Sequence, residues 1–170
     1  MQNISANYSV FSDKEWENDM NITYDRAAAE DAECIYQLCK QLIDEYENID
    51  DMDYDKVLKW VRKKIENCIM DYTAVYADGK KAGYYHFYQN EDGEYEIDDL
   101  YIFPEYQSRG IGTAVIRKCC SQVDKPVMLY GFIKNDRAFS LYKSLEFEVV
   151  KTVKASRYIM KNVSLGQVGE

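Results

Sequence analysis

With one histidine, two prolines and eight glycines in 170 residues, the chain is poor in several residue types that usually mark sites and turns. His86 stands alone, so no pair of imidazoles is available to hold a metal. The five cysteines, Cys34, Cys39, Cys68, Cys119 and Cys120, contain no C-x-x-C spacing. A metal site is not expected, and the thiols read as small buried hydrophobes in a reducing compartment. Positive charge is scarce too: 21 Lys and Arg stand against 30 Asp and Glu, a net charge of -9. Nucleic acid is therefore not an expected partner, because phosphate binding needs a basic footprint. Cationic small molecules are favoured, though weakly, since net charge steers encounter without defining a site. No apolar run approaches the roughly 20 residues of a membrane span. The start, "MQNISANYSVFSDKEW", has no basic region followed by an apolar core, and Gln2 removes an N-myristoylation site. These absences point to a cytoplasmic protein without a membrane partner.

What the chain does have is a core. Hydrophobic residues make up 46%, enough for one domain that needs neither disulfides nor a metal. Residues 1–21 read as an N-terminal extension, in which "SDKE" at 12–15 has the form of a capping box. Residues 22–162 read as the domain and 163–170 as a frayed tail. "NITYDRA" predicts a strand. Ala32, Ile35, Tyr36, Cys39, Leu42 and Ile43 fall at helical spacing within 30–46, and Val57, Val61, Ile65 and Cys68 do so within 54–70. Between these helices, "DEYENIDDMDYD" carries seven carboxylates in twelve residues. It reads either as a solvated acidic loop or as a mouth attracting a cationic acceptor.

"YTAVYAD", "KKAGYYHFYQ" and "GEYEIDDLYIF" follow as strands joined by "DGK" and "NEDGE" turns, an antiparallel meander. A helix at 110–123, the buried strand "VMLYGFI", a helix at 135–145 and the strands "FEVVKTV" and "SRYIMKNV" complete the order. Strand 93–103, its helix and strand 127–133 make a βαβ unit with one parallel, right-handed pair. The fold class is α+β, layered α/β/α: a mixed, mostly antiparallel sheet with helices on both faces.

The chemistry concentrates where that βαβ unit turns. "QSRGIGTA" at 107–114 opens a helix with two glycines, and free N–H groups at a helix start make an anion site. Glycine at 110 and 112 lets a phosphate approach the backbone. The P-loop and Rossmann patterns are both absent, since the stretch holds only G-x-G.

The segment "LYIFPEYQSRGIGTAVI" resembles the acyl-CoA signature of the GNAT superfamily of N-acetyltransferases, [QR]-x-x-G-x-[GA], through Gln107, Gly110 and Gly112. Leu100, Tyr101 and Ile102 stand where that family has a strand bulge, followed by Pro104. "NDRAFSLYKSLEF" is similar to its second signature through Asn135, Ala138, Tyr142 and Phe147, and "YDRAAAEDAECI" to its strand-to-helix entry. The resemblance spans about 22–162. It departs at Glu146, where the family usually has glycine; a left-handed residue there costs about 1 kcal/mol.

The resemblance implies acetyl transfer from acetyl-CoA, a co-substrate, to a primary amine of a small molecule or peptide, within a ternary complex and without a metal. The alternative is a catalytically silent acyl-CoA-binding module or sensor. Strand alternation puts Glu96, Asp98 and Leu100 on one face and Asp99 on the other. Glu96 and Asp98 match the positions where two branches of the family place a base, and Tyr142 matches its general acid; Asp99 reads as structural. Backbone at Leu100 or Tyr101 is expected to meet the oxyanion, and Ile102 the pantetheine arm. Gln107, Ser108, Arg109, Gly110, Ile111, Gly112 and Thr113 are expected around the pyrophosphate, with Arg109 supplying charge. Asn135 reads equally as a CoA contact or a helix N-cap. His86 is a candidate for the acceptor pocket or an ordinary strand histidine. Family likeness also raises a homodimer.

Overall fold

The computed structural model describes residues 20–162, so the 12–15 capping box, the tail at 163–170 and most of the extension lie outside the described residues. Seven strands form one sheet in the order β1-β2-β3-β4-β5-β7-β6. They are β1 (Ile22–Arg26), β2 (Tyr72–Ala77), β3 (Lys80–Gln89), β4 (Tyr95–Ile102), β5 (Val127–Phe132), β6 (Phe147–Val153) and β7 (Arg157–Asn162). Only β4 and β5 pair in parallel. The helices are α1 (Ala32–Tyr46), α2 (Tyr54–Cys68), α3 (Ile111–Ser121) and α4 (Asp136–Ser144). The α+β class and the single parallel pair are as the sequence predicts. Helix ends are shorter than the periodicity suggests, because 3-10 turns at Ala29–Asp31 and Ile69–Asp71 take over there.

Two cores lie back to back across the sheet. On one face α1 and α2 bury Ile35, Ile43, Val61 and Ile65 against Tyr72, Ala74, Tyr84 and Tyr101. On the other, Ile111, Val115, Ile116 and Cys119 of α3 pack on Val75, Tyr85, Ile97, Val127 and Leu129, with α4 beside them. Each such fully buried aliphatic side chain contributes about 1.5–3 kcal/mol. Of the cysteines only Cys119 is buried, and Cys34 is exposed, which corrects the reading of all five as core residues.

Two features of β4 shape everything that follows. Its register against β3 slips so that His86 pairs with Asp99 and Phe87 with Ile97, leaving Asp98 as an extra, bulged residue. The bulge thus sits before Leu100, Tyr101 and Ile102, not within them, and it breaks the alternation. Asp99 and Tyr101 join Glu96 and Asp98 on the α1–α2 face, while Leu100 turns to the α3–α4 face with Ile97. That corrects the expected grouping of Leu100 with the two carboxylates. The second feature is a parting: β4 and β5 pair only from Tyr95–Val127 to Ile97–Leu129, although both run on to Ile102 and Phe132. Past that point the sheet opens. Gly83 of β3 is needed here, because a Cβ on it would stand 2.0 Å from the Tyr101 carbonyl oxygen.

Candidate active site

A cavity of about 710 Å³ occupies the opening between β4 and β5. Its lining draws on α1 and α2 from one face and on α3 and α4 from the other, so it runs through the sheet. One arm therefore belongs to the phosphate loop and the other to the α1–α2 helices.

The loop arm is built from backbone. Ser108 (φ 60°) and Gly110 (φ 80°) are left-handed, a conformation that suits glycine and turns successive N–H groups inward. The orphan N–H groups of Ile111, Gly112 and Thr113 follow at the start of the eleven-residue α3. Gln107, Ser108, Gly110, Ile111, Gly112, Thr113 and Asn135 all line the cavity. Gln107 donates from Nε2 to the Ile102 carbonyl at 2.9 Å, which fixes the loop to the end of β4. Arg109 is not among the lining residues; its guanidinium sits 5.7 Å from the Tyr106 ring centre. Asn135 caps α4 by accepting from the Ala138 N–H at 3.1 Å, so it serves as N-cap and as cavity wall together.

Arg137, which the sequence reading passed over, holds this loop from α4. It donates from Nη1 to Gln107 Oε1 at 2.6 Å and from Nη2 to Ser108 Oγ at 2.9 Å. Its signal was present in "NDRAF", inside the second signature, but lies between the matched positions. Tyr142, on the same helix, is half-buried, lines the cavity and lies against Gly131 of β5. Burial pushes its phenol up to about 12, so it keeps its proton at neutral pH.

The other arm is built from side chains. Asp98 lines it and is held by Lys64 Nζ at 2.5 Å and by the His86 Nδ1 at 3.2 Å. Burial opposes ionisation of Asp98, yet His86 and Lys64 outweigh it and hold the carboxyl below its ordinary range. Asp99 also lines the arm, contacting Lys64 at 3.3 Å and accepting from Tyr72 and, at 2.7 Å, Tyr101. His86 itself is buried and stacked between Tyr72 and Tyr88, with ring centres 4.8 and 4.7 Å away. It supports Asp98 and is absent from the lining, so the pocket-wall alternative gives way to a supporting one.

Glu96 is likewise buried and off the lining. It accepts long hydrogen bonds, 3.4 Å each, from Tyr88 Oη and Asn90 Nδ2. Burial, with repulsion from Asp98, raises its pKa. Leu100, Tyr101 and Ile102 line the passage between the arms.

Three of the seven carboxylates of the acidic loop are tied into the fold. Asp44 binds Lys40 and Tyr54, Asp53 caps α2, and Glu47 binds Arg157 Nε at 2.6 Å. Of its carboxylates only Glu45 lines the cavity. Among the described residues no cluster of three or more His, Cys, Asp or Glu is placed to hold a metal, and no helix is long and apolar enough to cross a membrane.

A sheet parted beside a backbone anion loop defines a fold shared with known acyltransferases. The chain belongs to the acetyltransferase (GNAT) family, whose model matches residues 29–147. An uncharacterised N-acetyltransferase of Methanocaldococcus jannaschii is 33% identical over 72 residues, 40% of this chain. The match spans about a third, 32%, of that relative's length. Among solved structures, the PaiA N-acetyltransferase of Thermoplasma acidophilum, in complex with coenzyme A, is 20% identical with a TM-score of 0.63, covering 84% of this chain and 98% of that one. An N-acetyltransferase of Staphylococcus aureus Mu50 is 19% identical with a TM-score of 0.65, over 82% and 99%. Naa50 of Arabidopsis thaliana, in complex with the bisubstrate analogue CoA-Ac-MVNAL, is 16% identical with a TM-score of 0.55, over 82% and 97%. These likenesses are of fold.

Proposed function

We propose that the protein transfers the acetyl group of acetyl-CoA to a primary amine by direct attack in a ternary complex. The single observation that carries this reading is the cavity that crosses the sheet. It has a backbone anion loop and a protonated tyrosine on one side, and the carboxylate of Asp98, held below its ordinary range, on the other. The loop suits a pyrophosphate: its residues are left-handed at 108 and 110, and nothing lies within 4 Å of where a Gly110 Cβ would stand. Acetyl-CoA supplies an activated acyl group; the chain's residues supply position and protons.

In this reading Asp98, held ionised, anchors the incoming ammonium. Glu96, whose burial makes it a stronger base than an ordinary glutamate, takes the proton through water. Backbone N–H groups at Leu100 or Tyr101 face the charge that develops on the carbonyl oxygen. Tyr142 gives its proton to the departing sulfur. Five free thiols fit a reducing, cytoplasmic setting.

The test is coenzyme A release from acetyl-CoA with a panel of amines, with products identified by mass and initial rates measured against both substrates. Intersecting double-reciprocal lines and a product heavier by one acetyl group support direct transfer. Parallel lines contradict it. Acetyl-CoA binding without release across a broad panel supports the silent binding module instead.

A further inference from the structure

The α1–α2 arm of the cavity has aromatic walls and a floor of small net charge. Large apolar side chains in water are ordinary when scattered singly, but here two converge on one opening. Trp60 is 62% exposed and Tyr130 is 38% exposed, and both line this arm. The Tyr46 and Phe132 rings lie with centres 5.7 Å apart and line it too. At the floor Asp98 and Asp99 offset the single ammonium of Lys64, leaving about one negative charge. Of the acidic loop's seven carboxylates, Asp44, Glu47 and Asp53 are bound to Lys40 and Tyr54, to Arg157 and to the start of α2, and Glu45 alone lines the cavity, where Arg157 also stands.

The same loop ties the end of α1 across the sheet. Glu47 accepts from Arg157, and Asn48 Oδ1 accepts from Lys134 Nζ at 2.7 Å. These bonds brace the arm beside Tyr46, Phe132 and Arg157 by tying the end of α1 to β7 and to the turn after β5. An acceptor with several cationic groups would leave most of them facing apolar walls, at a desolvation cost. A single ammonium on a flat apolar body meets both the floor and the walls.

We infer, building on the acetyltransferase reading, that the acceptor is a small primary monoamine carried on an aromatic or arylalkyl body, its ring against Trp60 and Tyr130 and its ammonium over Asp98 and Asp99. The full-length chain is assayed with acetyl-CoA and phenethylamine, tryptamine, butylamine, spermidine, an aminoglycoside and a peptide with an N-terminal phenylalanine. The expected result is a kcat/KM for the arylalkylamines at least about tenfold above butylamine and above the other classes. Trp60→Ala lowers that advantage about tenfold, mainly through the KM of the aromatic amine. Equal or faster turnover of butylamine, spermidine, the aminoglycoside or the peptide overturns the inference while leaving the acetyltransferase reading in place. An arylalkylamine advantage that survives Trp60→Ala intact also overturns the proposed wall. Acetyl-CoA binding with no amine acetylated overturns the acetyltransferase reading itself, and this inference with it.

Discussion

The two arms of the cavity are built from different materials. The loop arm is backbone: left-handed residues at 108 and 110, the open end of α3, and an arginine of α4 that fastens the loop and also lines the cavity. The helix arm is side chain: Lys64 reaches from α2 to two neighbouring aspartates on β4, and His86 supports one of them from β3. On the proposed reading, one ligand would be recognised by shape and dipole, the other by a charge network that a few substitutions would redraw. Under that proposal the donor would be met by backbone and the acceptor by side chains.

The largest effect is expected where the arms meet. Tyr142→Phe removes the proposed proton donor and leaves the ring's packing, so turnover is expected to fall about 100-fold while acetyl-CoA affinity changes little. Single-turnover kinetics beside calorimetric titration separate the two quantities; an undiminished chemical step would take Tyr142 out of the mechanism.

Next comes the helix arm. Lys64→Met leaves Asp98 and Asp99 side by side without their cation, at a cost of about 3 kcal/mol in folding stability near pH 7. The pH dependence should weaken with it. In the parent, Asp98 is held below its unfolded value, so its contribution is present above that value and is lost as pH falls through the lower, folded one. Without Lys64 only His86 is left to oppose the burial of Asp98, so its carboxyl rises and the variant's deficit shrinks on acidification. Urea denaturation at several pH values reads this directly, and a deficit independent of pH would mean that Lys64 acts by packing alone.

A smaller effect belongs to the loop arm. Arg137→Ala frees Gln107 and Ser108, raising the KM for acetyl-CoA about tenfold with kcat nearly unchanged. A loss confined to kcat would show that Arg137 does not position the loop. Arg137→Lys, which keeps the charge without the fork, should recover only part of the affinity.

How much of this could be read from the sequence follows the same division. The loop arm is legible because its parts are contiguous: "QSRGIG" sits at one strand-to-helix turn, and Asn135 and Tyr142 share one helix. The helix arm is not. Lys64 meets Asp99 across 35 residues of sequence, and nothing in α2's periodicity says that one lysine will reach β4. The bulge at Asp98 was equally hidden, since strict alternation is the default for any strand and a single extra residue inverts every face after it. Glu146 lies between these cases. Its departure from the family's glycine was visible, and the structure gives it φ 66°. Glu146→Gly should therefore stabilise the fold by about 0.5 kcal/mol, with turnover unchanged, as the smallest of these effects. A melting temperature at or below that of the parent would show that contacts of the glutamate outweigh its backbone strain.

The central claim is that one cavity crosses the sheet, with the donor on the α3–α4 side and the acceptor on the α1–α2 side. A crystal structure of the complex with coenzyme A tests it most directly. The account predicts the pyrophosphate on the backbone of residues 107–112, and the thiol in the gap where β4 and β5 part, within hydrogen-bonding reach of the Tyr142 hydroxyl. Coenzyme A bound away from that loop, or its thiol on the far side of Tyr142 from Asp98, would contradict it.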